Sequence, residues 1–252
     1  MSDNRVTKED RDRIRSYAER KAAHERAQKG KKARNRAIVW SISGVFALAL
    51  GIGIYSAVVS IASPTVEASS TPTASADGSP DAALSEYRLW TGSMDVAGVP
   101  ITFELNGETA PKAVASTISL IGSGFYEGIS CHRLTTEGIY VLQCGDPSGD
   151  GTGGPGYSYG PVENAPEDNV YPAGTIAMAR QGGNGNSMGS QFFLVYEDST
   201  IPSDAAGGYT VIGHITSGLP ELIAQVTSQG TADGGADGAP KIPVTITGAT
   251  VK

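Results

Sequence analysis

Basic residues nearly vanish after position 36. Residues 1–36 hold 13 of the chain's 19 Lys and Arg and 6 of its 26 Asp and Glu, so residues 37–252 keep 6 basic and 20 acidic groups. An acidic body excludes a nucleic-acid surface, because phosphate binding needs clustered Lys and Arg. Histidine is scarce too, at three, and cysteine stops at two, Cys131 and Cys144. A zinc site needs about four ligands. Residues 87–252 offer two Cys and two His, with His214 far from His132 in sequence, so no metal is expected. GDGTGGPG lacks the Lys-Ser/Thr ending of a phosphate loop. Cys131 and His132 are neighbours, so on a strand they face opposite ways and make no nucleophile and base. Nothing in these patterns asks for a cofactor.

Charge and proline are both missing from AIVWSISGVFALALGIGIYSAVVSIA, Ala37 to Ala62, a run of 26 residues. About 20 apolar helical residues cross a bilayer, so this run spans one with some tilt. A cleaved signal peptide is the nearest rival, but its apolar region is usually about 7–15 residues long. The basic cluster KKARNR abuts the run, and no basic residue follows until Arg88. The positive-inside rule then makes residues 1–36 a basic cytoplasmic tail and places everything after Ala62 outside. The expected location is the cell membrane, crossed once through residues 37–62. The tail is rich in helix formers and poor in apolar residues, which suits a solvated segment near anionic lipid, with His24 exposed. Residues 63–86, SPTVEASSTPTASADGSPDAALSE, are Ser, Thr, Ala, Pro and acid, a disordered tether.

Residues 87–252 form the one globular domain. Apolar runs between turn signals predict strands in GVPITFELNG, GIYVLQCGD, GTIAMAR, SQFFLVY, YTVIGHIT and PVTITGATV. Helical spacing appears in APKAVASTISLIGSG, with Pro111 in the first turn. It appears again in GLPELIAQVTSQG, with Pro220 early and Gly230 as the stop. Many strands and two separated helices predict a mainly β domain, an antiparallel barrel with helical caps. Outside the membrane, an even cysteine count favours a disulfide. If GISCHRL and YVLQCGD are the arms of a hairpin, Cys131 and Cys144 oppose one another; two reduced small core residues are the alternative.

Five segments, FYEGISCHRL, LQCGDPSGDGTGGPGY, GTIAMAR, GSQFFL and GGYTVIGHITSG, occur in one order along residues 87–252. In that order and spacing the domain resembles the cyclophilin family of peptidyl-prolyl cis/trans isomerases. The resemblance implies an eight-stranded antiparallel β-barrel closed by two α-helices. It places the family's catalytic arginine on Arg133 and its glutamine on Gln143, where Cys144 replaces the first glycine of Gly-Gly-Asp. Tyr140 and Val141 take the places of the family aromatic and its apolar neighbour. Ala177 to Arg180 match Ala-Met-Ala-Asn, with Arg180 standing for asparagine and Ala179 lining the proline pocket. Gln191 and Phe193 match the glutamine and second phenylalanine of Gly-Ser-Gln-Phe-Phe, Gly151 edges the groove, and Tyr209 replaces a pocket histidine. The family tryptophan has no counterpart in TIPSDAAGGY, where Ile201 or Pro202 stands, which argues against tight cyclosporin binding.

The implied activity is isomerisation of Xaa-Pro bonds in exported proteins, so the expected partners are proline-containing peptides or unfolded chains. Arg133 would donate to the twisted amide, Gln143 would orient it, and Gln191 would hold substrate backbone. His132 is expected to pack in the core and Asp146 to cap its own turn. Two other readings compete. In one, the groove is a tethered, non-catalytic module for binding proline segments; in the other, the tail recruits the domain into an envelope assembly.

Overall fold

The computed structural model describes residues 75–252. The basic tail, the proposed span and residues 63–74 of the tether lie outside the described residues. No helix among the described residues is long and apolar enough to cross a membrane.

Period-two patterning drives the sheet. In β2 (Val99–Asn106) the residues Val99, Ile101, Phe103 and Leu105 are buried, while Pro100 and Thr102 between them are exposed. This strand pairs along its whole length with β1 (Leu89–Val96). Helix α1 (Pro111–Gly122) follows, with proline at its start; the Glu163 carboxylate accepts from the Lys112 and Ala113 N–H groups that no side-chain cap reaches. Then come β3 (Arg133–Thr135), β4 (Val141–Cys144), β5 (Val170–Tyr171), β6 (Thr175–Met178), β7 (Phe192–Val195), β8 (Ser199–Thr200) and β9 (Val211–Ser217). Helix α2 (Leu219–Gln225) precedes β10 (Asp237–Gly238) and β11 (Ile246–Val251).

Nine strands make one curled antiparallel sheet in the order β10-β3-β4-β7-β6-β9-β2-β1-β11, and β5 with β8 forms a separate two-stranded ribbon. The eight strands expected in the barrel are therefore a nine-stranded sheet plus a ribbon, with the two helices as expected. No strand is predicted from sequence for β5, β8 and β10, which have two residues each and are too short to show a period, nor for the eight-residue β1, whose burial does not alternate cleanly. The sheet's margins approach through backbone bonds that flank β3 and β11. Gly128 N–H donates to Ile246 O at 2.9 Å, Ile246 N–H to Ile129 O at 2.9 Å, and Cys131 N–H to Val244 O at 3.0 Å.

β6 and β7 are buried on both faces. Ile176 and Phe192 line the interior together with Phe103, Leu105, Thr117 and Ile121. The opposite face carries Ala177, Phe193 and Val195, which gather with Val141, Tyr171 and Ile201 into a second apolar cluster. That second face holds the candidate site.

The folded unit also takes in residues 75–86, which the sequence reading assigned to the disordered tether. Asp77 pairs with Lys112 of α1 at 2.7 Å, and this bond lowers the Asp77 carboxyl to about 2. A 3-10 turn at Ala82–Ser85 is capped by Asp81, and the Ser85 carbonyl accepts from the Trp90 indole at 2.7 Å. These anchors come from single polar groups, so the low hydrophobicity of the segment hides them.

Candidate active site

One row of side chains crosses five strands. Arg133 on β3 sits opposite Gln143 on β4, Gln143 opposite Phe193 on β7, Phe193 opposite Ala177 on β6, and Ala177 opposite Val211 on β9. Directly opposed residues share a face of the sheet. Strand pairing alone therefore sets a guanidinium, an amide and a phenyl ring in line.

The apolar end is a packed cluster. Val141, Phe193, Ala177 and Ile201 are buried in one cluster, with Ile139, Ala179 and Tyr209 packed against it. The Tyr209 ring meets Phe193 edge-on, with centroids 5.5 Å apart. Tyr171, absent from the sequence reading, is fully buried behind them; its hydroxyl accepts from the Tyr209 N–H at 2.7 Å. Of the two candidates in TIPSDAAGGY, Ile201 joins the cluster and Pro202 is exposed.

The polar end is a relay of amides. Arg133 Nη1 donates to Gln143 Oε1 at 3.3 Å, and Gln143 Nε2 donates to Gln191 Oε1 at 2.8 Å. Gln191 Nε2 then donates to Gly151 O at 3.0 Å and to Gly153 O at 2.9 Å. The loop bearing these carbonyls is wound around the buried Asp146 carboxylate, which accepts from the N–H groups of Ser148, Asp150 and Gly151. Gly145 has φ +88°, and a Cβ there would overlap the Ser190 carbonyl, so glycine is required just before Asp146.

A further partner of Arg133 is Asp237. Arg133 Nε donates to Oδ1 at 2.7 Å and Nη2 to Oδ2 at 2.6 Å. This pairing raises the guanidinium's pKa further and holds the Asp237 carboxyl below its ordinary range. The Arg133 side chain is still 40% exposed. No motif in TADGGADGAP marks Asp237; only the pairing of β10 with β3 brings it here.

Several expected residues have other surroundings. Tyr140 lies one residue out of phase with Val141 and Gln143, and its ring packs edge-on against Tyr196, outside the pocket cluster. Gln191 spends both amide hydrogens on Gly151 and Gly153, so it supports Gln143 and has no N–H left for substrate. Arg180 is fully buried at its side chain. It donates to both Asp204 oxygens at 2.9 Å and to the carbonyls of Gln181, Gly207 and Gly208. Its guanidinium also lies 4.6 Å from the Tyr209 ring centroid, so it supports that ring and has its N–H groups taken within the chain. His132 is half-buried, not a full core residue; its buried Nδ1 has no hydrogen-bond partner, and desolvation holds its pKa below the ordinary range. Cys131 and Cys144 are joined in a disulfide beside the Arg133–Gln143 pair. Among the described residues no group of three or more His, Cys, Asp or Glu is arranged to hold a metal.

The fold is cyclophilin-like, and the comparisons give the family. Residues 91–251 match the family described as cyclophilin type peptidyl-prolyl cis-trans isomerase/CLD, and the chain belongs to that family. It is 42% identical over 192 residues to the "Probable peptidyl-prolyl cis-trans isomerase B" of Mycobacterium tuberculosis, covering 67% of this chain and 60% of that one. It is 41% identical over 122 residues to the Bacillus subtilis "Peptidyl-prolyl cis-trans isomerase B", covering 48% of this chain and 80% of the relative. The chain thus spans less than two thirds of the mycobacterial relative's length. Among solved structures, the Cryptosporidium parvum cyclophilin type isomerase has the same fold at a TM-score of 0.54 and 24% identity, over 65% of this chain and 98% of that one. A second structure of that protein was obtained in the presence of the dipeptide Ala-Pro.

Proposed function

We propose that this chain is a peptidyl-prolyl cis/trans isomerase in which Arg133 stabilises the twisted amide. The observation that carries the reading is the line Arg133–Gln143–Phe193–Ala177 across adjacent strands, a donor at one end and a buried apolar cluster at the other. The reaction breaks no bond. Its barrier of roughly 18–20 kcal/mol is lost amide resonance, and uncatalysed turnover takes tens of seconds or longer. The ring of proline enters the slot over Phe193, where Val141, Ala179 and Tyr209 hold it while the preceding residue turns.

As conjugation fails, the prolyl nitrogen gains a lone pair. Arg133 has five N–H groups, and Asp237 and Gln143 take three, leaving one on each terminal nitrogen. A donor aimed at that nitrogen gains strength only in the twisted state, which is what lowers a barrier rather than merely tightening binding. A groove that only bound proline segments has no need of such a donor. The test is isomerisation of an Ala-Pro peptide by the full chain beside Arg133→Ala. The parent accelerates the reaction and the variant loses on the order of 10²-fold or more in kcat/KM; equal rates would remove Arg133 from its role.

The same reading extends to place and clients. The uncharged run at 37–62 behind KKARNR supports a single membrane crossing with the domain outside. The disulfide suits an oxidising compartment, where exported chains fold. Fractionation checks this: the full chain sediments with membranes after a high-salt wash, and a chain lacking residues 37–62 does not. Recovery of both in the soluble fraction would refute the anchor.

A further inference from the structure

Residues 231–240 form a small, internally bonded hairpin. Thr231 and Pro240 bridge at its base, and Ala232 N–H donates to Ala239 O at 2.8 Å. From the base, Thr231 Oγ1 donates to Gly235 O at 2.6 Å, and within the tip Gly235 N–H donates to Asp233 Oδ1 at 3.0 Å. Along its flank β10 joins the sheet, with Asp237 opposite Thr135, Gly238 opposite Leu134, and Thr136 N–H donating to Ala236 O at 2.8 Å. Backbone bonds therefore fix the place of Asp237 independently of its side chain.

Asp237 faces the same side of the sheet as Thr135, and so as Arg133 two residues away. It is the diagonal neighbour of Arg133, a separation that long side chains bridge. Its two oxygens take the Nε and Nη2 hydrogens, which lie parallel on one edge of the guanidinium. Gln143 alone holds Arg133 by one bond at 3.3 Å, which leaves the plane free to turn. Two bonds on a second edge remove that freedom. An arginine so exposed otherwise samples several rotamers, and each excursion takes its donors away from the slot.

We propose that Asp237 is a positioning residue for the reaction, clamping the Arg133 guanidinium in the plane from which its remaining N–H groups meet the prolyl nitrogen. The proposal rests on the isomerase reading of Arg133 and adds a part of the chain that no motif marks. Because the clamp acts through Arg133, its loss is felt in kcat rather than in the apolar capture of proline, and only while Arg133 is present.

The experiment is a double-mutant cycle on the full chain, with kcat and KM measured on an Ala-Pro peptide for the parent, Asp237→Asn, Arg133→Ala and the double variant. Thermal unfolding of each variant confirms that it is folded. Asp237→Asn is expected to lower kcat roughly ten- to hundredfold, as small misplacements of a catalytic group do, with KM within about twofold. The same substitution in the Arg133→Ala background is expected to change nothing further. Unchanged or increased kcat in Asp237→Asn overturns the clamp. An equal loss in both backgrounds also overturns it, since the acid would then act on the fold and not through Arg133. If Arg133→Ala keeps the parent's kcat, the isomerase mechanism itself fails, a result distinct from either.

Discussion

Arg133 is bound by two unlike acceptors, a neutral amide on β4 and a carboxylate on β10, and both face the apolar row. The amide was legible in the sequence, because Gln143 lies in a recognisable stretch beside Cys144. The carboxylate was not, since Asp237 is one acid among several in a Gly- and Ala-rich loop and only tertiary pairing selects it. Tyr140 shows the converse failure: its place in the motif is right, but strand alternation turns its ring toward Tyr196. His132 carries a pH consequence. Burial is the main cause of its lowered pKa, opposed by Asp146 and reinforced by Arg133 itself. The unfolded chain titrates this imidazole near about 6.5. As pH falls through that value the unfolded state takes up a proton that the folded state refuses, so stability is full above it and declines below. The unfolding temperature is expected to drop between pH 7 and pH 5.5, and His132→Gln is expected to remove part of that drop. Identical profiles in calorimetry would show that His132 is not the sensor.

Among the elements, the segment from Asp204 to Tyr209 decides the shape of the pocket. Arg180, at the end of β6, ties it down through Asp204, Gly207 and Gly208 and supports the Tyr209 ring. Asp204 also accepts from the Gly183 and Ala206 N–H groups, and the arginine holds its carboxyl far below the usual range. The matching motif implies a groove position for Arg180. It could not show that the longer side chain turns inward and is consumed by the wall. Arg180→Ala removes the bonds given to Asp204 and to the carbonyls of Gly207 and Gly208, so the folded state is expected to lose stability. On the proposed reading the wall would bind proline equally before and during rotation, so KM is expected to rise about tenfold with kcat little changed. A fall in kcat at constant KM would instead place Arg180 on the reacting amide. The disulfide acts on a neighbouring element: it ties the residues just outside Arg133 on β3 to the end of β4, so the two arms that present Arg133 and Gln143 are held covalently as well as by the ladder.

On the scale of the whole molecule, a barrel-like sheet with both faces of its centre buried gives the site a rigid floor. β2 and α1 were legible because β2 alternates cleanly and α1 begins at Pro111 and keeps helical spacing, whereas β1, equally long, was not, because its burial does not alternate. Closure of the sheet was not, because it rests on backbone bonds between Gly128–Cys131 and Val244–Ile246 that leave no side-chain pattern. Nor was the docking of residues 75–86, which depends on Asp77, Asp81 and the Trp90 indole. On the proposed reading these parts hold a donor beside the apolar cluster, and rotation of a bound prolyl bond tests it most directly. NMR exchange spectroscopy on an Ala-Pro peptide with the full chain separates the bound-state isomerisation rate from affinity. Arg133→Ala is expected to slow bound-state exchange by about 10²-fold while leaving the dissociation constant within about threefold. Unchanged exchange with weakened binding would contradict the account, because Arg133 would then grip the substrate without easing its rotation.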